Sequence, residues 1–499
     1  MEFIDNLALG LSTAVSPENL LYCFIGVLLG TLIGVLPGLG PIPTIAMLLP
    51  LTYALSPVAA IIMLAGIYYG AQYGGSTTAI LINLPGESSS VVTAIDGHQM
   101  ARQGRAGVAL CTAALGSFFA GTVATLIIAV FSPPLASIAL TFGPSEYFAL
   151  MALGLVFSAS LAAGSVVKAL AMIVLGLLLG LVGEDLYTGL PRMNFGVPEL
   201  IDGLDFAAIA MGMFGIGEIV RNLEDESQRK LIVEKIVRLM PDREDFRRMI
   251  APIVRGTALG SALGILPGGG ATLSSFAAYS IEKRVAKDPG QFGHGAIEAV
   301  ASPESANNAG AQTSFIPMLT LGIPSNPVMA LMIGALMIQG ITPGPNIISE
   351  QSTLFWGVIV SMWIGNLMLV ILNLPLIGLW VRLLNVPYHL LFPVIVVVCA
   401  IGVFSLRNSE FDVYTMAFFG VIGYFLAKLD CEPAPFLLGF ILGPMLEENL
   451  RRAMLLAHGD AVAMVTRPVT GILLLVAIGL LVLQILPMIR EARREIPLE

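Results

Sequence analysis

The sequence predicts an all-α polytopic membrane protein built from two inverted-topology repeats with broken helices or re-entrant hairpins, plus one extra C-terminal span. Three observations predict it. The 499 residues are 56% hydrophobic and 12% charged, whereas soluble chains carry about 25% charged residues. Two motifs recur in the same order: GTLIGVLPGLGP from Gly30 is echoed by GSALGILPGGGA from Gly260, and GAQYGGSTTAILINLPGESSS from Gly70 by GAQTSFIPMLTLGIPSN from Gly310. A motif pair repeated in order marks a duplicated unit. Finally, the basic bias of corresponding loops flips between the copies, as opposite orientations require.

The elements follow in order. Residues 1–17 read as a short interfacial segment; MEFIDNLALG is acidic and lacks a basic n-region, so no cleaved signal peptide is expected. An apolar run over 20–36 ends at the Pro-Gly-Leu-Gly-Pro break of 37–41, and 42–55 and 57–69 form two shorter apolar pieces. The stretch 70–90 concentrates Gly, hydroxyls, Asn83 and Pro85, and reads as irregular backbone at membrane depth. Such backbone is tolerated only where protein or a watery cavity covers it. A polar loop is expected over 96–105, with Asp96 and His98 as solvated surface. Further spans fall near 107–131, 146–162, 167–184 and 205–221, each about long enough for ~30 Å of hydrocarbon.

Residues 222–248 are the only long charged segment. Leu231, Ile232, Ile236, Leu239 and Met240 recur there at helical spacing, so an amphipathic arm at the membrane surface is expected. The second copy resumes near 250–266, with later spans near 354–373, 389–405, 412–428 and 433–446. An unpaired span over 469–488 ends in Arg490, Arg493 and Arg494. The division is therefore 1–222 as first repeat, 223–248 as cytoplasmic linker and 249–450 as second repeat. Residues 451–499 then supply a periplasmic loop, the last span and a cytoplasmic tail.

Charge sets the orientation. No Lys or Arg precedes Arg102, which places the N-terminus outside the cytoplasm and the C-terminus inside. The early connection LPLTYALSP carries no basic residue, while its counterpart SIEKRVAKDPGQ carries Lys283, Arg284 and Lys287. The loop after residue 90 carries Arg102 and Arg105; its counterpart at 339–346, QGITPGPN, carries none. Threaded this way, only Arg192, Arg407, Arg451, Arg452 and Arg467 of the 25 basic residues lie outside. A parallel repeat would spoil that ratio.

The breaks supply the candidate site. Pro37, Gly38 and Gly40, and Pro267, Gly268 and Gly269, interrupt apolar helices and would expose free N–H groups where a helix restarts, which suits a carboxylate. Gly75, Ser76, Thr77 and Thr78, with Thr313 and Ser314, add a close backbone and neutral donors. The amides of Gln72, Asn308 and Gln312 complete the substrate-binding set, beside Asn307. Carbonyl and hydroxyl oxygens at Asn83, Pro85, Gly86, Gly322, Pro324 and Ser325 are candidates for Na⁺, a hard cation that prefers oxygen. The bland alternative is that Gly and Pro serve packing or kinks and the amides staple helices. Glu87 and Glu304 lie near the breaks as cation ligands or proton carriers, or else at watery hairpin ends; no proton coupling is expected. Cys23, Cys111, Cys399 and Cys431 lack metal-ligand spacing and read as small core residues. Trp356, Trp363 and Trp380 read as interfacial or packing residues.

GVLPGLGPIPTIAMLLPLTY, then YYGAQYGGSTTAILINLPGESSS, then SPESANNAG with IPMLTLGIPSNP, resembles the large membrane subunit of the tripartite tricarboxylate transporters, the TctA family. The resemblance covers essentially the whole chain. It implies an inner-membrane permease for organic acids such as citrate. A periplasmic solute-binding protein would deliver the substrate, a small four-span membrane subunit would complete the complex, and cation gradients, usually Na⁺, would drive uptake. No other cofactor and no nucleic-acid partner is expected. The rivals are an intramembrane enzyme and a passive channel. No Walker-type motif occurs, which disfavours ATP hydrolysis, and four scattered histidines supply no hydrolase constellation.

Overall fold

The computed structural model describes residues 2–36, 40–161, 165–185, 187–217, 220, 239–266, 269–383 and 388–495. These are almost wholly helical, and five helical stretches are long and apolar enough to cross a membrane: Pro17–Val35, Pro57–Ile82, Ser88–Ala139, Ser352–Asn373 and Glu410–Lys428. The free cysteines Cys23, Cys111 and Cys399 are buried among apolar neighbours. Trp356 and Trp380 are buried too, so packing, not an interfacial belt, accounts for them.

Everything is arranged around Pro57–Ile82, whose apolar window is 94% buried. The expectation of irregular backbone over residues 70–82 is wrong: this is one continuous 26-residue helix. Its glycines are used for contact. A Cβ at Gly26, Gly30 or Gly34 of Pro17–Val35 would strike the main chain of Met63, Ile67 or Ala71, and Gly66, Gly70 and Gly74 reciprocate. Small residues four apart form one ridge, so two backbones can approach without side chains between them. The echoed motifs do the same: Gly256, Gly260 and Gly264 of Arg243–Ile265 lie on the main chain of Ser302, Ala306 and Gly310.

The true breaks fall where Pro and a left-handed residue coincide. Pro57–Ile82 ends at Asn83, in the left-handed region with φ 57°. At the echoed motif, Glu298–Thr313 continues through a slight kink into Phe315–Leu321, which ends at Gly322 with φ 70°. Gly and Asn tolerate that conformation. After Pro85, Glu87 caps the next turn through a reciprocal bond with Ser90; after Pro324, Asn326 caps Pro327–Ile338 by accepting from the Met329 amide. The earlier breaks at Pro37, Gly38, Pro267 and Gly268 lie outside the described residues. Gly40 and Gly269, which are described, immediately precede the restarted helices Pro41–Thr52 and Gly270–Val285.

Other expectations shift. Residues 2–14 are helical, packed so that Gly10 meets the Trp356 carbonyl. The 107–131 span is Ala106–Ala139, which two prolines near its end do not stop. The 167–184 span ends at Gly180 and gives way to a two-stranded hairpin, Gly183–Glu184 against Pro191–Arg192. There the Thr188 amide foremost, with the Tyr187 amide and the Arg451 guanidinium, holds the Asp185 carboxyl well below the usual carboxylate range. Of the expected linker, 223–238 lies outside the described residues, but Arg243–Arg248 already form the start of Arg243–Ile265, capped by Asp242. Pro433–Leu456 runs past residue 450, so Arg451 and Arg452 sit on a helix, paired with Glu447 and Glu448.

Two sets of connections meet. Arg105 pairs with Asp245 at 2.5 Å, and Gln103 reaches the His294 carbonyl at 2.8 Å. Asp96, predicted to be solvated, is fully buried; its carboxylate accepts from the amides of Gly293, Gly295 and Ala296 at 2.9 Å each and from the Tyr279 hydroxyl at 3.0 Å. His98 is buried beside the Ile80 carbonyl at 3.1 Å. The expected 96–105 loop is thus helix Val91–Met100 followed by a π-turn, Ala101–Arg105. Elsewhere Gln339, in the basic-free 339–346 loop, donates to the Thr52 carbonyl in the basic-free early connection at 2.5 Å.

Candidate functional site

Two helices bring the polar residues of the repeated motifs together. On Pro57–Ile82, Gln72 and Ser76 lie four apart on one face. On Glu298–Thr313, Glu304, Asn308 and Gln312 do the same. Ser76 Oγ donates to Glu304 Oε2 at 2.5 Å, and the Thr93 hydroxyl, from Val91–Met100, donates to Oε1. Glu304 is fully buried. It is therefore part of a buried seam joining Pro57–Ile82 and Val91–Met100 to Glu298–Thr313, and the hairpin-end alternative is excluded for it.

The seam continues along Glu298–Thr313. Asn308 Nδ2 donates to Ser117 Oγ at 2.7 Å and to Asn307 Oδ1 at 2.5 Å. Gln312 Oε1 accepts from the Thr125 hydroxyl at 2.6 Å, and Nε2 donates to Asn366 Oδ1 at 3.1 Å. Its counterpart Gln72 accepts instead from Ser89 at 2.8 Å, and the same Ser89 hydroxyl donates to Glu87. The two glutamines thus occupy matching positions with different partners.

A cavity of about 10 Å³, lined by Tyr73, Ser76, Thr77, Ser117 and Asn373 among others, opens beside this seam. That is about the room of one water, far less than any carboxylate substrate. The Tyr73 hydroxyl and Asn373 Oδ1 on its wall, and Asn308 Oδ1 nearby in the seam, are buried without a hydrogen-bond partner. Unpartnered buried polar atoms are rare in native proteins and mark a place where water, an ion or a ligand belongs.

The broken regions converge near the same place. A Cβ at Gly40 would contact the Gly86 carbonyl and Glu87, and one at Gly270 would meet the Asn326 side chain. Ser88 and Thr272 share a hydrogen bond of 2.8 Å, and Asn326 donates to Ser314 Oγ at 3.0 Å. Gly75 leaves room for the Glu87 side chain, and Gly86 for the main chain of Gly34 and Gly75.

The remaining expected residues divide. Thr77 lines the cavity, with a long 3.3 Å bond to the Tyr73 carbonyl. Thr78 is committed to main-chain carbonyls, foremost that of Val35 at 2.9 Å, and Thr313 to that of Ala309 at 2.9 Å. Ser314 likewise donates to the Gly310 carbonyl at 2.7 Å. Among the expected cation ligands, Gly86, Gly322, Pro324 and Ser325 are buried, Pro85 half-buried and Asn83 exposed. Sequence reasoning named Glu304 but left it out of the site, and it missed Tyr73, Thr93, Ser117 and Asn366. One signal was available: Glu304 is the sole charged residue between Glu298 and Glu350, and Glu87 the sole one between Glu18 and Asp96.

Comparison with known proteins agrees with this architecture. The chain is 63% identical over its whole length, and 99% of the relative's, to the "Uncharacterized 52.8 kDa protein in TAR-I ttuC' 3'region" of Agrobacterium vitis. It is 60% identical over 240 residues, 48% of this chain and 99% of the relative, to the "Uncharacterized protein in TAR-II ttuC' 3'region" of the same organism. No solved structure matches. The model of the tripartite tricarboxylate transporter TctA family matches residues 20–438, nearly the whole chain. That is a family of transporter components and not of enzymes, which agrees with the apolar helices: the chain belongs to the tripartite tricarboxylate transporter TctA family.

Proposed function

We propose that this chain is the permease subunit of a secondary transporter in a bacterial inner membrane, importing di- or tricarboxylate anions together with Na⁺. A periplasmic solute-binding protein delivers the anion, and a small four-span membrane subunit completes the complex. The observation that carries this reading is the buried polar seam, where Ser76 and Thr93 of one copy meet Glu304 of the other beside a cavity with unpartnered polar walls. Neutral donors and helix ends at membrane depth are how secondary transporters hold carboxylates without a fixed positive charge. No Lys or Arg occurs over 30–90 or 310–345, and a permanent buried cation would be costly to carry across empty.

The copies, 1–222 and 249–450, are read as inverted repeats joined by 223–248, with the N-terminus periplasmic and the C-terminus cytoplasmic. The crossed pairing of loops supports this. The Arg102-bearing connection of the first copy adjoins residues 293–296, which follow the Lys283-bearing connection of the second, while 339–346 adjoins the early connection of the first. Matching loops of parallel repeats would adjoin one another instead.

Counterflow tests the function. Vesicles holding the complete transporter and loaded with unlabelled citrate, succinate or malate should accumulate the labelled acid faster than empty ones. Thr77→Ala should weaken the affinity by about 0.5–1.5 kcal/mol, one hydrogen bond's worth. Absence of counterflow for all three acids refutes the carrier reading.

A further inference from the structure

Glu304 poses a problem that the transport reading alone does not solve. Its carboxylate is fully buried, yet among the described residues no ion pair reaches it. The neighbouring cations are engaged elsewhere. On Arg243–Ile265, which packs against Glu298–Thr313, Arg248 pairs with Glu298 and Arg255 with Glu282. Ala106–Ala139 contributes Ser117 but has no charged or histidine residue. On Val91–Met100, Asp96 and His98 have partners of their own. Pro57–Ile82 adds no charged residue, only the Ser76 and Tyr73 hydroxyls, and the turn after it adds a second carboxylate, Glu87. An uncompensated negative charge in a membrane core is strongly unfavourable, and an intramembrane carboxylate marks an ion path by default.

The substrate makes the problem sharper. Ser76 lines the cavity and also donates its hydroxyl to Glu304. An anion entering beside Ser76 meets a like charge and finds that donor already occupied. The surroundings, meanwhile, are rich in oxygen: the Glu304 carboxylate, the Ser76 and Thr93 hydroxyls, and the unpartnered oxygens of Tyr73 and Asn308. Hard cations select such oxygen donors.

We propose that Glu304, with Ser76 and Thr93, forms the site of the coupling Na⁺, and that Na⁺ must occupy it before the carboxylate binds. Bound Na⁺ removes the like-charge repulsion and releases the Ser76 hydroxyl toward the cavity, so substrate affinity depends on Na⁺. This differs from the carbonyl sites expected at Asn83–Gly86 and Gly322–Ser325, because here a side-chain carboxylate carries the coupling. It rests on the transport reading above, and its test separates the two.

The test uses radiolabelled Na⁺ alone on the purified complete transporter, followed by citrate, succinate and malate binding across a Na⁺ series. Glu304→Gln should raise the Na⁺ dissociation constant by roughly tenfold or more, as for loss of one charged contact. It should also make anion affinity independent of Na⁺. Ser76→Ala and Thr93→Ala keep the carboxylate and should each weaken Na⁺ by roughly two- to tenfold; they decide the matter if Glu304→Gln does not fold. Wild-type Na⁺ binding in Glu304→Gln, or in both hydroxyl variants, overturns the proposal. So does loss of Na⁺ binding in Glu87→Gln alone, or an anion affinity that follows pH and ignores Na⁺. Counterflow that persists while any of these holds sinks only the Glu304 site; absent counterflow sinks the transport reading itself.

Discussion

The close helix packing predicts that a single methyl group at Gly30 forces apart Pro17–Val35 and Pro57–Ile82. A Cβ there would fall 2.8 Å from Ile67 Cα and 3.0 Å from the Gly66 carbonyl oxygen, and closer still to the Ile67 carbonyl oxygen. All three are main-chain atoms of the central helix, so no side chain can swing aside. Gly→Ala in a helix otherwise stabilises by about 1 kcal/mol through propensity, while overpacking a tight contact costs about 1–3 kcal/mol. Gly479 of the terminal helix supplies the control, since its Cβ would meet nothing within 4 Å. Gly479→Ala should therefore stabilise by about 0.5–1 kcal/mol, and Gly30→Ala should be less stable than that variant by about 1–3 kcal/mol. Gly260→Ala, facing the Ala306 main chain, should behave like Gly30→Ala. Titrating the purified protein with a denaturing detergent measures each free energy. Equal stabilities for Gly30→Ala and Gly479→Ala would refute the packing argument and return Gly30 to a purely conformational role.

Asp96→Ala removes the acceptor shared by three amides and the Tyr279 hydroxyl, and should destabilise by about 2–4 kcal/mol, less than the sum of separate bonds. Hydrogen exchange should then rise sharply at Gly293, Gly295 and Ala296, and unchanged protection there would show that the carboxylate does not hold that loop. For the orientation, a reporter active only outside the cytoplasm should be active when fused after Pro345 and silent after Arg105 or Lys287. Opposite results at two of these sites would exclude inverted repeats.

Residues 70–82 show where reading the sequence stops. Gly70, Gly74 and Gly75 carry the same local signature whether a helix breaks or another backbone passes close by. Only the position of Gly26, Gly30 and Gly34 on a neighbouring helix distinguishes the two, and here the helix continues. Asp96 is similar. Beside Arg102 and Arg105 it looks solvated, but the loop that buries it lies near residue 293.

What the sequence determined by itself rests on chemistry that acts locally. Apolar runs choose the membrane, left-handed Asn83 and Gly322 followed by Pro85 and Pro324 end their helices, and both motifs recur in the same order. The tertiary structure decided which buried groups face one another. Ser76 and Thr93 reach Glu304 from more than two hundred residues away in the chain. A carboxylate's neighbours set whether it needs a counter-ion, and those neighbours exist only once Pro57–Ile82 and Val91–Met100 have packed against Glu298–Thr313.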